Sequence, residues 1–80
     1  MAENIVKLLI VEDEEEICAI VKSVFERRGY KVDIAHTGKE TMQAMKEKPH
    51  LIILDRILPD VDGIDLLKEI RKTNTQVKVI

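Results

Sequence analysis

The chain has 80 residues, 45% hydrophobic and 35% charged, with a net charge of −2. That allows one small globular domain, too rich in apolar residues for a disordered segment, and it lacks the basic footprint that direct nucleic-acid binding needs. The longest wholly apolar runs, Leu8-Leu9-Ile10-Val11 and Leu51-Ile52-Ile53-Leu54, are far too short to cross a bilayer, so no membrane association is expected.

In chain order, Leu8-Leu9-Ile10-Val11 reads as a strand covered on both faces of a sheet. Beyond Glu12 and Asp13, the residues Ile17, Ile20, Val21, Val24 and Phe25 follow i, i+3, i+4, i+7, i+8 spacing, one apolar stripe on a helix. Glu14, Glu15 and Glu16 at its start and Arg27 and Arg28 at its end complement the helix dipole, and Gly29 is a natural C-cap. Cys18, the one cysteine, falls inside this helix and reads as inert, with no neighbour to activate it. A lone thiol forms no internal disulfide and the start of the chain shows no secretory apolar stretch, so a reducing cytoplasm is the expected compartment.

Val32-Asp33-Ile34-Ala35 is a weaker strand candidate. Thr37-Gly38-Lys39-Glu40 fits a capping box, with Thr37 as N-cap and Glu40 reaching back. The helix it opens carries Met42 and Met45 as packing residues and stops before Pro49. Leu51-Ile52-Ile53-Leu54 is the next strand. Asp62-Gly63 opens a third helix with Ile64, Leu67 and Ile70 inward and Lys68, Arg71 and Lys72 late, closed by Thr73-Asn74-Thr75. Val77-Lys78-Val79-Ile80 starts a fourth strand. His36 and His50 have no evident partner group and read as solvent-exposed loop residues.

The order β-α-β-α-β-α-β implies right-handed crossovers and an α/β fold, a parallel sheet with helices on both faces. Such sheets bind ligands beyond the carboxyl ends of their strands. Glu12 and Asp13 follow the first strand and Asp55 follows the third. If those strands are neighbours, three carboxyl groups meet in one pocket, where they repel unless a cation intervenes. Mg²⁺, a hard cation that takes oxygen ligands, suits such a set. The run Glu14 to Glu16 reads as a charged helix start. A nucleotide-binding enzyme or a different Mg²⁺-dependent phosphatase is disfavoured, because there is no Gly-rich phosphate loop and no second Asp two residues after Asp55.

Two segments, Leu9-Ile10-Val11-Glu12-Asp13-Glu14 and Leu51-Ile52-Ile53-Leu54-Asp55-Arg56-Ile57-Leu58-Pro59-Asp60-Val61-Asp62-Gly63, resemble the receiver domain of bacterial response regulators, the CheY type. The acid pair after the first strand and the Asp-x-x-x-Pro-x-x-x-Gly spacing carry the resemblance, and the element order matches throughout. The resemblance implies a flavodoxin-like topology with strand order 2-1-3-4. It implies Asp55 as phosphoacceptor, Asp13 as a direct Mg²⁺ ligand, Glu12 as a ligand through a metal-bound water, and the Ile57 backbone carbonyl as a further ligand. Pro59 and Gly63 match the turn into the third helix, and Arg56 is expected to project towards the rim of the pocket. The implied partner is a sensor histidine kinase, whose phosphohistidine donates to Asp55 in a phosphorelay. Such a protein is a signalling switch more than a conventional enzyme.

The family has five strands and five helices, and residues 1–80 correspond to its N-terminal portion, as far as the fourth strand. The Ser or Thr that ends that strand, the Lys after the fifth strand, and the surface built from the fourth helix, fifth strand and fifth helix have no counterpart. Thr73, Thr75 and Lys78 lie before the matching points. The expectation is a truncated domain with impaired phosphoryl transfer, which self-associates as a homo-oligomer or with a complementing fragment. The rival reading is a non-catalytic fold fragment or engineered piece that self-associates to complete its core.

Overall fold

A computed structural model describes residues 5–74 and 76–80. Thr75, expected in the close of the third helix, lies outside the described residues. The elements are β1 (Lys7–Val11), α1 (Glu15–Arg27), β2 (Lys31–Ala35), α2 (Gly38–Ala44) with a 3-10 turn at Met45–Glu47, β3 (Leu51–Leu54), α3 (Gly63–Thr73) and β4 (Lys78–Val79). The strands form one parallel sheet in the order β2-β1-β3-β4, the order the resemblance implied.

Strand alternation builds two apolar layers. Leu8 and Ile10 face one side with Val32, against Cys18 and the half-buried Val21 and Phe25 of α1. Leu9 and Val11 face the other side with Ala35 and Ile52, against Met45, Leu58, Leu66 and Ile70. Phe25 and Tyr30 meet edge to face, with ring centroids 5.2 Å apart.

The helices are rotated from their expected faces. On α1 the inward row is Cys18, Val21 and Phe25, while Ile17, Ile20 and Val24 are exposed, Ile20 at 65%. One residue step turns a helix by about 100°. The apolar stripe is wider than the sheet contact, so it did not fix which of its rows lies down. On α3 the inward pair is Leu66 and Ile70, and Ile64 is exposed. The backbone of Gly63 sits against that of Asp55 and Arg56 where α3 leaves the loop.

The caps follow the sequence with one shift. Gly29 takes the left-handed conformation after α1, with φ of +91°. Thr37 Oγ1 accepts the Glu40 N–H at 3.0 Å, but the Glu40 carboxylate accepts the N–H of His36, at 2.8 Å, so the box reaches one residue further back. Asp62 Oδ1 caps α3 by accepting the Ile64 N–H at 2.8 Å. His50, exposed as expected, does have a partner: its Nδ1 accepts the Lys7 N–H at 2.9 Å. Among the described residues no helix is long and apolar enough to cross a membrane.

Candidate functional site

Strand register delivers the site. Val11 stands level with Ala35 on one side and with Leu54 on the other. The next residue of each strand, Glu12, His36 and Asp55, therefore emerges at the same carboxyl edge. The ladder runs one step past the strands: the Glu12 N–H donates to Ala35 O at 3.0 Å and the Asp55 N–H to Val11 O at 2.9 Å. These bonds lock the start of both loops to the sheet.

Carboxylate oxygens of Glu12, Asp13 and Asp55 all lie within 4.8 Å of one another. Glu12 and Asp55 are half-buried and Asp13 is exposed. Asp55 Oδ1 accepts the Ile57 N–H at 3.3 Å, and Glu12 Oε2 accepts the Glu14 N–H at 3.2 Å. Burial pushes the Glu12 carboxyl above its ordinary range; the Glu14 N–H works against this and the charge of Asp55 adds to it. Among the described residues none of the three acids is in a salt bridge. Each pair of charges at such separations repels by roughly 1–4 kcal/mol, depending on local screening.

The donor set fits Mg²⁺. All three groups are hard carboxylate oxygens, the donor type Mg²⁺ prefers, and they lie within 4.8 Å of one another. The softer groups nearby, the Cys18 thiol and the His36 imidazole, point instead at the backbone carbonyl of Glu12. Cys18 is buried, and burial together with the neighbouring acids Glu12, Glu15 and Asp13 raises its thiol pKa, which suits an inert residue.

The segment after Asp55 is folded back on itself. Ile57 pairs with Asp62 in an isolated antiparallel bridge, and the Gly63 N–H donates to Arg56 O at 2.7 Å. The Ile57 side chain is 77% exposed while Leu58 is buried, which anchors the loop one residue after the N–H that meets Asp55. Pro59 is exposed. Arg56 is exposed next to Asp55 and lines a hollow of about 220 Å³ with Leu54, Gly63, Ile64, Leu67, Val79 and Ile80. None of the three acids lines that hollow.

Two residues at this edge escaped the sequence reading. His36 is half-buried, not a free loop residue: its Nδ1 lies 2.9 Å from Glu12 O. Asp60 accepts the Gly38 N–H at 2.7 Å and the Lys39 N–H at 3.2 Å, tying the loop after Asp55 to the start of α2. These contacts span 24 and 22 residues, and no local pattern announces them.

The N–H of Gly38, more than that of Lys39, holds the Asp60 carboxyl below its ordinary range. A depressed carboxyl stabilises the fold above its unfolded pKa and loses that contribution as pH falls through the folded value. The expected result is that Asp60→Asn melts below the parent at neutral pH. The gap then closes as the buffer is taken below the ordinary aspartate range, in thermal melts followed by circular dichroism.

A four-stranded parallel sheet with three acids at its carboxyl edge is the architecture of a receiver domain. The family model described as response regulator receiver domain matches residues 8–80, and the chain belongs to that family. It is 42% identical over 74 residues to the uncharacterized transcriptional regulatory protein YkoG of Bacillus subtilis, covering 91% of this chain and 32% of that protein. It is 40% identical over 75 residues to the alkaline phosphatase synthesis transcriptional regulatory protein PhoP of the same organism, covering 92% and 31%. The non-phosphorylated HemR receiver domain of Leptospira biflexa superposes with a TM-score of 0.86 at 31% identity, over 92% of this chain and 60% of that one. The MaeR response regulator bound to beryllium trifluoride superposes with a TM-score of 0.85 at 29% identity, over 95% and 65%. The chain spans about a third of the length of the curated relatives it matches.

Proposed function

We propose that Asp55 is the phosphoacceptor of this receiver domain, and that Asp13, Asp55, the Ile57 carbonyl and, through water, Glu12 hold Mg²⁺ beside it. The observation that carries this reading is the convergence of three carboxylates within 4.8 Å at the edge shared by β1 and β3. Asp55 Oδ1 accepts the Ile57 N–H, and an Asp55 carboxylate oxygen is the nucleophile in this reading. Its lone pair forms an O–P bond in line as the P–N bond of a donor phosphohistidine breaks, and the departing imidazole takes a proton from solvent. The product is an acyl phosphate on Asp55, later hydrolysed. When bound, Mg²⁺ offsets the negative charge that accumulates between phosphoryl and carboxylate oxygens.

The donor in this reading is a sensor histidine kinase or a small phosphodonor such as acetyl phosphate, and the setting is cytoplasmic. Residues 1–80 form the N-terminal portion of the domain, in keeping with the share of the HemR receiver domain that they cover. The exposed apolar side chains Ile17, Ile20 and Val24 on α1 and Ile64 on α3 support self-association of the isolated chain. Light scattering at micromolar concentration is expected to give more than the monomer mass, and a monomer mass would contradict it.

The metal half of the reading is tested by titrating Mg²⁺ into the chain and following the amide signals of Asp13 and Asp55 by NMR. Saturable shifts are expected, and Asp13→Asn is expected to weaken binding by about tenfold or more. A parent chain that shows no saturable shift would falsify the metal assignment.

A further inference from the structure

The backbone of Glu12 is held at both of its polar groups. Its N–H donates to Ala35 O at 3.0 Å. Its carbonyl oxygen is met by two side chains from other elements, His36 Nδ1 at 2.9 Å and Cys18 Sγ at 3.3 Å. A carbonyl oxygen only accepts, and its two lone pairs can take both donors. The ring nitrogen facing it must therefore carry hydrogen, which makes neutral His36 the Nδ1–H tautomer. A bare Nδ1 would set two lone pairs against each other at 2.9 Å.

His36 is itself held in place. Its N–H donates to Glu40 Oε1 at 2.8 Å, and the Glu40 N–H donates to the N-cap oxygen of Thr37 at 3.0 Å. The cap of α2 thus fixes His36, and His36 fixes the Glu12 carbonyl. The peptide that joins Glu12 to Asp13 is planar, so anchoring its oxygen sets the whole plane and the direction in which the Asp13 Cα leaves it. Asp13 is exposed, so little packing holds it otherwise.

We propose that His36 is a positioning residue of the acid site: through the Glu12 carbonyl it sets the Glu12–Asp13 peptide so that both carboxylates face Asp55. Cys18 supports the same oxygen from α1. This inference rests on the Mg²⁺-binding reading above and adds to it a residue that touches neither metal nor phosphoryl group. A histidine that merely satisfied a buried carbonyl would change the melting temperature and leave metal affinity alone.

The test uses the 80-residue chain in two arms. Nitrogen-15 NMR of the His36 ring at about pH 8, where an ordinary histidine is neutral, is expected to show hydrogen on Nδ1 and a lone pair on Nε2. The Nε2–H tautomer would overturn the proposal, and this arm stands whether or not any variant folds. The second arm compares Mg²⁺ titrations of the parent, His36→Leu and His36→Asn. An Asn side chain presents an N–H close to where Nδ1 stands, and Leu presents none. Removal of a group that orients metal ligands costs tenfold or more in affinity. His36→Leu is therefore expected to bind Mg²⁺ about tenfold more weakly, with most of the affinity restored in His36→Asn. Parent-like affinity in His36→Leu, or an equal loss in both variants, overturns the positioning role and leaves the functional reading intact. A parent chain that binds no Mg²⁺ overturns both.

Discussion

On the proposed assignment, replacing Asp55 with Asn is expected to leave the chain folded and to abolish the uptake of a phosphoryl group from acetyl phosphate in the presence of Mg²⁺. The two side chains have the same shape, and the Asn carbonyl oxygen can still accept the Ile57 N–H that Asp55 accepts at 3.3 Å. An amide has no anionic oxygen to attack phosphorus, so the loss is complete rather than graded. Stability moves the other way. The substitution removes one of three charges that crowd within 4.8 Å. Asp55 faces two of those charges, and with half-exposed groups and solvent screening the relief falls at the low end of the pairwise range, about 1 kcal/mol or somewhat more. In a domain of this size each kcal/mol raises the melting temperature by about 4–8 °C, so a rise of that order is expected. Intact-mass spectrometry after incubation reads the first effect, and a thermal melt without Mg²⁺ reads the second. A mass increment of one phosphoryl group in Asp55→Asn would contradict the assignment.

Gly63→Ala is expected to damage fold and site together. A Cβ at Gly63 would stand 2.6 Å from Arg56 Cα, 2.8 Å from Asp55 O and 2.9 Å from Arg56 O. All three are backbone atoms, and the loop cannot swing away, because the Gly63 N–H is bonded to Arg56 O at 2.7 Å. Overpacking of this kind costs about 1–3 kcal/mol. An 80-residue domain has only about 4–12 kcal/mol to lose. The clash falls on the residues that carry and follow Asp55, so Mg²⁺ affinity drops as well. Gly38→Ala offers the contrast: its Cβ meets a side-chain methyl, Val61 Cγ1, at 2.5 Å. That methyl can shift where backbone cannot. In urea unfolding the midpoint of Gly63→Ala is expected well below that of the parent, with Gly38→Ala between them. A midpoint for Gly63→Ala equal to the parent's would refute the close-packed loop.

Much of the site was legible because its signals are local. A short apolar run ending in an acid marks a strand and its carboxyl end within six residues, and this pattern locates Glu12, Asp13 and Asp55. The adjacency of β1 and β3 that brings them together is not local, and it came from the resemblance to receiver domains. Helix faces were less legible. The apolar residues of α1 cover a wider arc than the sheet contacts: of the stripe Ile17, Ile20, Val21, Val24 and Phe25, only Val21 and Phe25 pack inward, beside Cys18. On α3 the inward pair is Leu66 and Ile70, and the close approach of Gly63 to the Asp55–Arg56 backbone at its start is a tertiary contact that helical periodicity does not encode. The supports of the site were hidden for the same reason. Asp60 at the start of α2 and His36 at the Glu12 carbonyl act across 22 and 24 residues. A lone loop histidine gives no sign that a carbonyl awaits it. Glu40 was seen as a capping residue, but its true partner, the His36 N–H, lies one residue before the N-cap.

The central claim is that Asp55 takes the phosphoryl group at an edge organised by Glu12 and Asp13. Its most direct test is peptide mapping by mass spectrometry after incubation with acetyl phosphate and Mg²⁺, followed by borohydride reduction, which converts an aspartyl phosphate to homoserine. The predicted result is homoserine at position 55 alone, dependent on Mg²⁺. Homoserine at another aspartate, or none under conditions in which the chain is folded and Mg²⁺ is bound, would contradict it.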